Sequence, residues 1–294
     1  MASPSRKLLS TETNQGPPMR FADRHRDLSF VVIGAMKSGT TWIDEALRTG
    51  TNASLPERAK ELFYFDEFYD RGHVWYERQF GAANGPIGEV ASTYYASPKA
   101  RERLSVDVHD EVRIIVCVRD PFDRAWSHYK HEIRKGTISP TTSFAVAARE
   151  RPEIIGGSRY HELLAPWRDT FGERFHLLVF EELRKDPESF ALALFSATGA
   201  TRLDGAQLPA PTNKAREPRS QRLARAAAKT SWALHAAGLH RLVDIAKRAG
   251  IAHVVETTPH PAPQAERDSA RKVSKELLER DTERFRKWAG PLPW

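Results

Sequence analysis

Phe30-Val31-Val32-Ile33-Gly34-Ala35-Met36-Lys37-Ser38-Gly39-Thr40-Thr41-Trp42-Ile43 is the stretch whose reading decides the fold of this chain. Its first part, extended back to Leu28, is a short apolar run rich in β-branched residues, the pattern of a buried parallel strand. Residues 40–49 can continue as a helix closed by Gly50. A strand–loop–helix junction leaves backbone N–H groups unpaired at the helix N-terminus, where the helix dipole also favours negative charge. Gly34 and Gly39 let the backbone close around an anion with no Cβ in the way. Glycines alone would equally suit a turn that merely joins strand to helix. Lys37, Ser38 and the two threonines add the donors that an anion needs.

Outward from this junction the alternation repeats. The strongest strand signal is 112–118, with further strands expected at 87–91 and 175–180 and a short aromatic strand at 60–66 leading into a loop. Helices are expected at 122–134, with Pro121 in the first turn and Gly136 as the break, at 159–171, and at 190–198 before Gly199. Strands separated by helices predict an α/β fold with a parallel central sheet flanked by helices. Residues 203–218 read as a loop, 222–248 as basic and helix-prone, and 269–288 as a terminal helix. One domain over 28–294 is therefore expected, with 222–294 a helical C-terminal extension and 1–27 a flexible polar tail.

The 294 residues carry a formal net charge of +7, and 40% are hydrophobic, enough for a substantial core. No run of eighteen apolar residues is present, so no membrane-spanning helix is expected. The first twenty residues lack the apolar segment of a secretory signal. The single cysteine, Cys117, cannot make an internal disulfide and reads as a small core residue. A reducing, cytoplasmic setting fits these features. The positive charge favours anionic partners without saying which.

The Gly-x4-Gly spacing matches the phosphate loop of nucleoside triphosphatases, in which Lys and then Ser or Thr follow the second glycine. Here Thr40 and Thr41 follow it, and the lysine lies inside the loop at Lys37. The stretch instead resembles the 5′-phosphosulfate loop of sulfotransferases that use 3′-phosphoadenosine 5′-phosphosulfate (PAPS). Residues 113–136, RIIVCVRDPFDRAWSHYKHEIRKG, are similar to that family's 3′-phosphate-binding strand and helix. The resemblance spans roughly 29–220 and implies a P-loop-like sulfotransferase fold. It also implies donor contacts from Lys37, Ser38, Gly39, Thr40, Thr41, Arg119 and Ser127, with PAPS as co-substrate, PAP as product and no metal. The chemistry agrees. A triphosphate needs lysine and Mg²⁺ to share its charges, whereas a transferring sulfuryl group carries one, so Lys37 alone can stabilise the leaving 5′-phosphate. An arginine fork and a serine hydroxyl suit a phosphate dianion. Taken alone, Arg119-Asp120 would read as a strand-end ion pair.

Lys60-Glu61-Leu62-Phe63-Tyr64-Phe65-Asp66 resembles the Lys-Glu-x-x-Phe-Phe-Asp segment of heparan-sulfate-type sulfotransferases, which implies Glu61 as general base. The plainer alternative is an exposed strand-end carboxylate. Gly88-Glu89-Val90-Ala91-Ser92-Thr93-Tyr94-Tyr95 resembles a segment facing the acceptor, so Glu89 and Ser92 are candidate substrate-binding residues, or simple loop hydrogen-bonding groups. Val90 stands where several relatives have lysine. The block 158–183 is similar to the family's helix–strand unit. Residues 213–220 resemble the late loop over the nucleotide, implying donor contacts from Arg216, Glu217, Pro218, Arg219 and Ser220, although Glu217 and Pro218 replace the usual glycine and aromatic. His128 and His131 read as surface or packing residues. The basic stretch 214–248 has three readings: a solvated face, a lid for anionic substrates, or a contact with an anionic membrane surface.

The expected reaction is in-line transfer of a sulfuryl group from PAPS to a hydroxyl of a carbohydrate or natural product. A hydroxyl-bearing small molecule or glycan is the expected partner, and nucleic acid is not. One alternative is a phosphate-loop kinase or nucleotide hydrolase, against which the displaced lysine stands. Another is a non-catalytic basic protein that binds nucleic acid or membrane, against which stands the lack of a nucleic-acid motif. Fold and donor motifs do not name the acceptor, because substrate-facing loops vary on a given scaffold.

Overall fold

Strand β1 (Leu28–Gly34) is buried on both faces because nothing in it from Phe30 to Ile33 is polar. It is flanked by β2 (Ile87–Val90) and β3 (Arg113–Val118), and β4 (Phe175–Val179) lies beyond β3. All pairings are parallel and the order is β2-β1-β3-β4. The computed structural model describes residues 28–210 and 264–294, together with 217–218, 226, 230, 233–234 and 256–257. The expected tail, 1–27, lies outside the described residues, as does most of 211–263.

Side-chain alternation along the central strands makes two cores. Phe30, Val32, Ile115 and Cys117 pack on α1 (Thr40–Gly50), α8 (Phe180–Lys185) and α9 (Pro187–Thr198) through Ile43, Leu47, Leu183, Phe190 and Leu194. Val31, Ile33, Ile114, Val116 and Val118 face the other way, toward α3 (Pro98–Asp107), α7 (Tyr160–Phe171) and Phe285 of the terminal helix. A third cluster joins α4 (Pro121–Lys135), α5 (Phe144–Glu150) and α6 (Glu153–Gly156) to Ala270 and Leu278 of that same helix. Short α2 (His73–Glu77) adds Tyr76, stacked on Tyr64 at 4.7 Å between centroids.

The helices at 121–135 and 187–198 begin earlier than the apolar pattern alone indicated, because proline occupies the first turn of each and an aspartate caps it. Asp120 accepts from the Asp123 N–H at 2.8 Å, and Asp186 from the Ser189 N–H at 3.1 Å. Gly136 and Gly199 end them in the left-handed conformation. The terminal helix, α10, spans Gln264–Ala289, one turn and more longer at its start than 269–288. Residues 217–218 and 256–257 pair as a two-residue antiparallel ribbon, β5 and β6, where a loop and a helical extension had been expected.

The expected strand at 60–66 is not one. Leu62, Tyr64 and Phe65 are all buried, so the segment does not alternate, and Phe63 sits at φ 52° in a turn. Its aromatic residues anchor a loop instead of pairing.

Candidate active site

The chain leaves β1 for β2 on one side, then crosses to β3 on the other. That makes a switch point between β1 and β3, where open α/β sheets hold ligands outside the carboxyl ends of their strands. Both donor signatures lie there. The loop after β1 is tied to β3 by the Ala35 N–H donating to the Cys117 carbonyl at 2.8 Å, and it turns back as the Ser38 N–H donates to the Ala35 carbonyl at 3.0 Å. Lys37 has φ 75° and Gly39 φ 89°. A Cβ on Gly39 would stand 2.8 Å from the Phe180 ring, so this position needs glycine for space as well as for its backbone angle. Helix α1 begins at Thr40 with no side-chain cap, leaving its first N–H groups free of one.

Cations converge on this loop. Lys37 is largely buried, and its amine is pushed down to about 8, first by burial and then by the charges of Arg134, Arg119, Lys60 and Arg124. Arg119 leaves the end of β3, donates through Nη1 to the Lys37 carbonyl at 3.3 Å, and lies over the Phe180 ring with 4.9 Å between guanidinium carbon and centroid. Its Nε is buried with no partner among the described residues. Its nearest carboxylate, Asp123, is 3.9 Å away and is shared with Arg267 and Arg271. The Arg119 N–H donates to the Tyr160 hydroxyl at 3.2 Å. Ser127 lies half-buried on α4, two turns beyond the strand end. Such a concentration of positive charge has the chemistry to receive an anion.

Glu61 reaches the same place from the aromatic loop. Lys60 Nζ sits 3.3 Å from Glu61 Oε1 and donates to Thr40 Oγ1 at 3.2 Å and Thr41 Oγ1 at 3.5 Å. Ser92, just past β2, donates to Glu61 Oε2 at 2.9 Å. Glu61 is therefore two hydrogen bonds from the loop that holds Lys37, and its side chain keeps 19% exposure. Glu89 differs. It is fully buried, accepts from the Tyr76 hydroxyl at 3.0 Å, and burial pushes its carboxyl up to about 8. It lies behind the cleft, with no surface to offer a ligand in this conformation.

Sequence reading took His128 and His131 as surface or packing residues, and both interact electrostatically with Lys37. His128 is buried and His131 half-buried, and both are held neutral, at about 3 and about 2, by burial and by cations that include Lys37. Arg124, with no exposed surface, donates to Ser158 Oγ at 2.6 Å and to the Ile154 carbonyl, and its Nη1 lies 3.5 Å from His128 Nδ1. Arg134 Nη2 donates to His131 Nδ1 at 2.7 Å. The signal was available: 124, 128, 131 and 134–135 share one helix face by their three-and-four spacing. Arg216, Arg219 and Ser220 lie outside the described residues, and for Glu217 and Pro218 only the backbone pairing of β5 is described. Among the described residues no three His, Cys, Asp or Glu side chains gather as metal ligands, and no helix is long and apolar enough to cross a membrane.

Residues 27–203 match the family model described as sulfotransferase domain, well over half of the chain. Among curated proteins, the membrane-associated sulfotransferase kil1 of Dictyostelium discoideum is 32% identical over 177 residues, covering 51% of this chain and 37% of that protein. Human heparan sulfate glucosamine 3-O-sulfotransferase 3B1 is 32% identical over 167 residues, covering 53% of this chain and 42% of its own. The chain thus spans less than half the length of these relatives. A crystal structure of a sulfotransferase from Alicyclobacillus acidocaldarius superposes with a TM-score of 0.53 at 23% identity, over 63% of this chain and 87% of that one, a likeness of fold. With the glycine loop at one strand end, the arginine at the next and the family match across both, the chain belongs to the sulfotransferase family.

Proposed function

We propose that the protein transfers a sulfuryl group from PAPS to a hydroxyl of a carbohydrate or natural-product acceptor. The donor's 5′-phosphosulfate lies against the loop amides, Ser38, Thr40 and Thr41, with Lys37 at the oxygen bridging phosphorus and sulfur. Arg119 and Ser127 take the 3′-phosphate. Glu61 accepts the proton of the acceptor hydroxyl as its oxygen attacks sulfur. The S–O bond to the 5′-phosphate breaks, a new S–O bond forms, and PAP leaves with its added negative charge against Lys37. A buried amine held down to about 8 in the free protein responds strongly to such charge.

The observation that carries this reading is the bridge from Glu61 through Lys60 to Thr40 and Thr41, which sets a partly exposed carboxylate beside the anion loop. A general base must stand within reach of the proton it removes; Glu61 keeps exposed surface beside the loop, which supports this choice, whereas Glu89 is fully buried. The heparan-sulfate-modifying name of the human relative supports a glycan as the first acceptor class to try. The test is transfer of ³⁵S from labelled PAPS to a panel of glycans and phenols, together with calorimetric titration of PAP. Micromolar PAP binding and label on at least one hydroxyl acceptor are expected. A protein that ignores PAP and PAPS and binds Mg-ATP instead would overturn the reading.

A further inference from the structure

Asp123 stands between Arg119 and the terminal helix. Its Oδ2 lies 3.9 Å from Arg119 Nη2. Its Oδ1 accepts from Arg267 Nη2 at 3.1 Å, and Arg271 Nη2 is 3.8 Å from the same oxygen. Arg267 and Arg271 are four residues apart on α10 and so share one face of it. The Arg271 guanidinium lies over the ring of Phe122, the neighbour of Asp123, with 4.3 Å between its central carbon and the centroid. Helix α10 lies beyond the segment matched by the family model, so both arginines come from outside that segment.

This arrangement bears on what Arg119 can hold. Its Nη1 is engaged by the Lys37 carbonyl at 3.3 Å, which leaves Nε and Nη2 for an incoming anion. A carboxylate 3.9 Å from Nη2 competes for that guanidinium and repels the phosphate it is to receive. Arg267 and Arg271 act on the other carboxylate oxygen. They restrain Asp123 by Oδ1 and set two positive charges against its one negative charge. Neither arginine has to reach the nucleotide for this to matter.

We propose that Arg267 and Arg271 are positioning residues for donor binding, which neutralise and restrain Asp123 and so free Arg119 for the 3′-phosphate. The proposal rests on reading Arg119 as a contact of that phosphate. The two side chains keep 45% and 56% exposure, so their effect is that of surface ion pairs, moderate in size and screened by salt.

The test is a double-mutant cycle read by calorimetric titration of PAP into the full chain, with urea unfolding to report that each variant is folded. Its corners are the wild type, Arg267→Gln with Arg271→Gln, Asp123→Asn, and all three together. In low salt the arginine pair is expected to weaken PAP binding roughly three- to tenfold, the span of two exposed ion pairs. Asp123→Asn leaves the PAP Kd within twofold of the wild type or lowers it. In that background, removing both arginines changes the Kd by less than twofold. Arg267→Lys with Arg271→Lys keeps the charge and stays within twofold of the wild type, and high salt shrinks the loss in the glutamine pair. An equal loss with and without the Asp123 carboxylate would mean that the arginines act on the donor directly or through the fold, and would overturn the proposal. So would an arginine pair that binds PAP as the wild type does, or Asp123→Asn binding it more than twofold worse, which would make Asp123 a support of Arg119. A wild type that does not bind PAP at all overturns the donor reading, and this proposal with it.

Discussion

Ser92 Oγ donates to Glu61 Oε2 at 2.9 Å, joining the turn after β2 to the aromatic loop across a separation of 31 residues. Lys60 holds the other carboxylate oxygen at 3.3 Å, so both oxygens of Glu61 are oriented. Removing the carboxylate and removing its support should separate. Glu61→Gln is expected to lower kcat by about 10²–10⁴-fold, the range of general-base catalysis, with the PAP Kd unchanged. Ser92→Ala leaves the base in place and only frees it, so kcat falls about tenfold and the pH dependence keeps its shape. Steady-state rates beside PAP calorimetry check both; equal losses in the two variants would deny Glu61 its role as the base.

Lys37 sets stability against function. Its amine, at about 8 in the fold, lies below its usual 10.5, so the fold disfavours the charged form. The unfolded chain holds this proton between about pH 8 and 10.5 and the folded one does not, so stability from this group rises with pH across that window. Below pH 8 the full cost is present. Lys37→Met is therefore expected to stabilise the ligand-free protein at pH 7, by at most roughly 3 kcal/mol, in urea unfolding, while sulfuryl transfer is lost. PAP binding to the wild type should weaken as pH rises above about 8 and take up a proton there, seen as a buffer-dependent heat.

Glu89 gives the opposite sign. Burial, against the opposing hydrogen bond from Tyr76, raises its carboxyl to about 8 from the usual 4.5. Between those values the fold binds a proton that the unfolded chain has lost, so this group's contribution to stability falls as pH climbs from about 4.5 to 8. Glu89→Gln imitates the protonated acid. Its unfolding free energy should exceed that of the wild type at pH 7, should match it near pH 4, and should lack this fall in between. A role in direct acceptor contact would instead show as a raised acceptor KM in Glu89→Gln, with the stability difference absent.

The glycine loop and the arginine strand end were legible because each is a local pattern whose chemistry follows from adjacent residues. The helix ends at Gly136 and Gly199 and the buried Cys117 were equally local. What escaped depends on distance in sequence. The segment 60–66 carries strand-forming residues, yet it turns at Phe63 and packs its rings on Tyr76 and Tyr94, partners no window of seven residues contains. His128, His131 and Arg134 are ordinary helix-face residues until the loop after β1 is brought against them, 90 residues or more away. Glu89 and Ser92, three residues apart, share one motif. One is sealed within β2 and the other, just past the strand's end, faces Glu61.

The terminal helix, outside the matched sulfotransferase segment, completes an element within it. Helix α7 starts at Tyr160 with no side-chain cap of its own. Asp281 of α10 supplies one, accepting from the His161 N–H at 3.1 Å and the Glu162 N–H at 3.0 Å. Phe285, one turn further, lies 5.3 Å from the Tyr160 ring, whose hydroxyl receives the Arg119 N–H. A cap is worth about 1 kcal/mol, up to 2 when partly buried. Asp281→Ala should therefore lower the unfolding free energy by that amount in urea, and Asp281→Asn, which keeps one acceptor oxygen, by about half. Because Phe285 still backs Tyr160, the PAP Kd should move by less than twofold. A larger loss of PAP affinity than of stability would mean that α10 tunes Arg119 through Tyr160 and does more than cap α7.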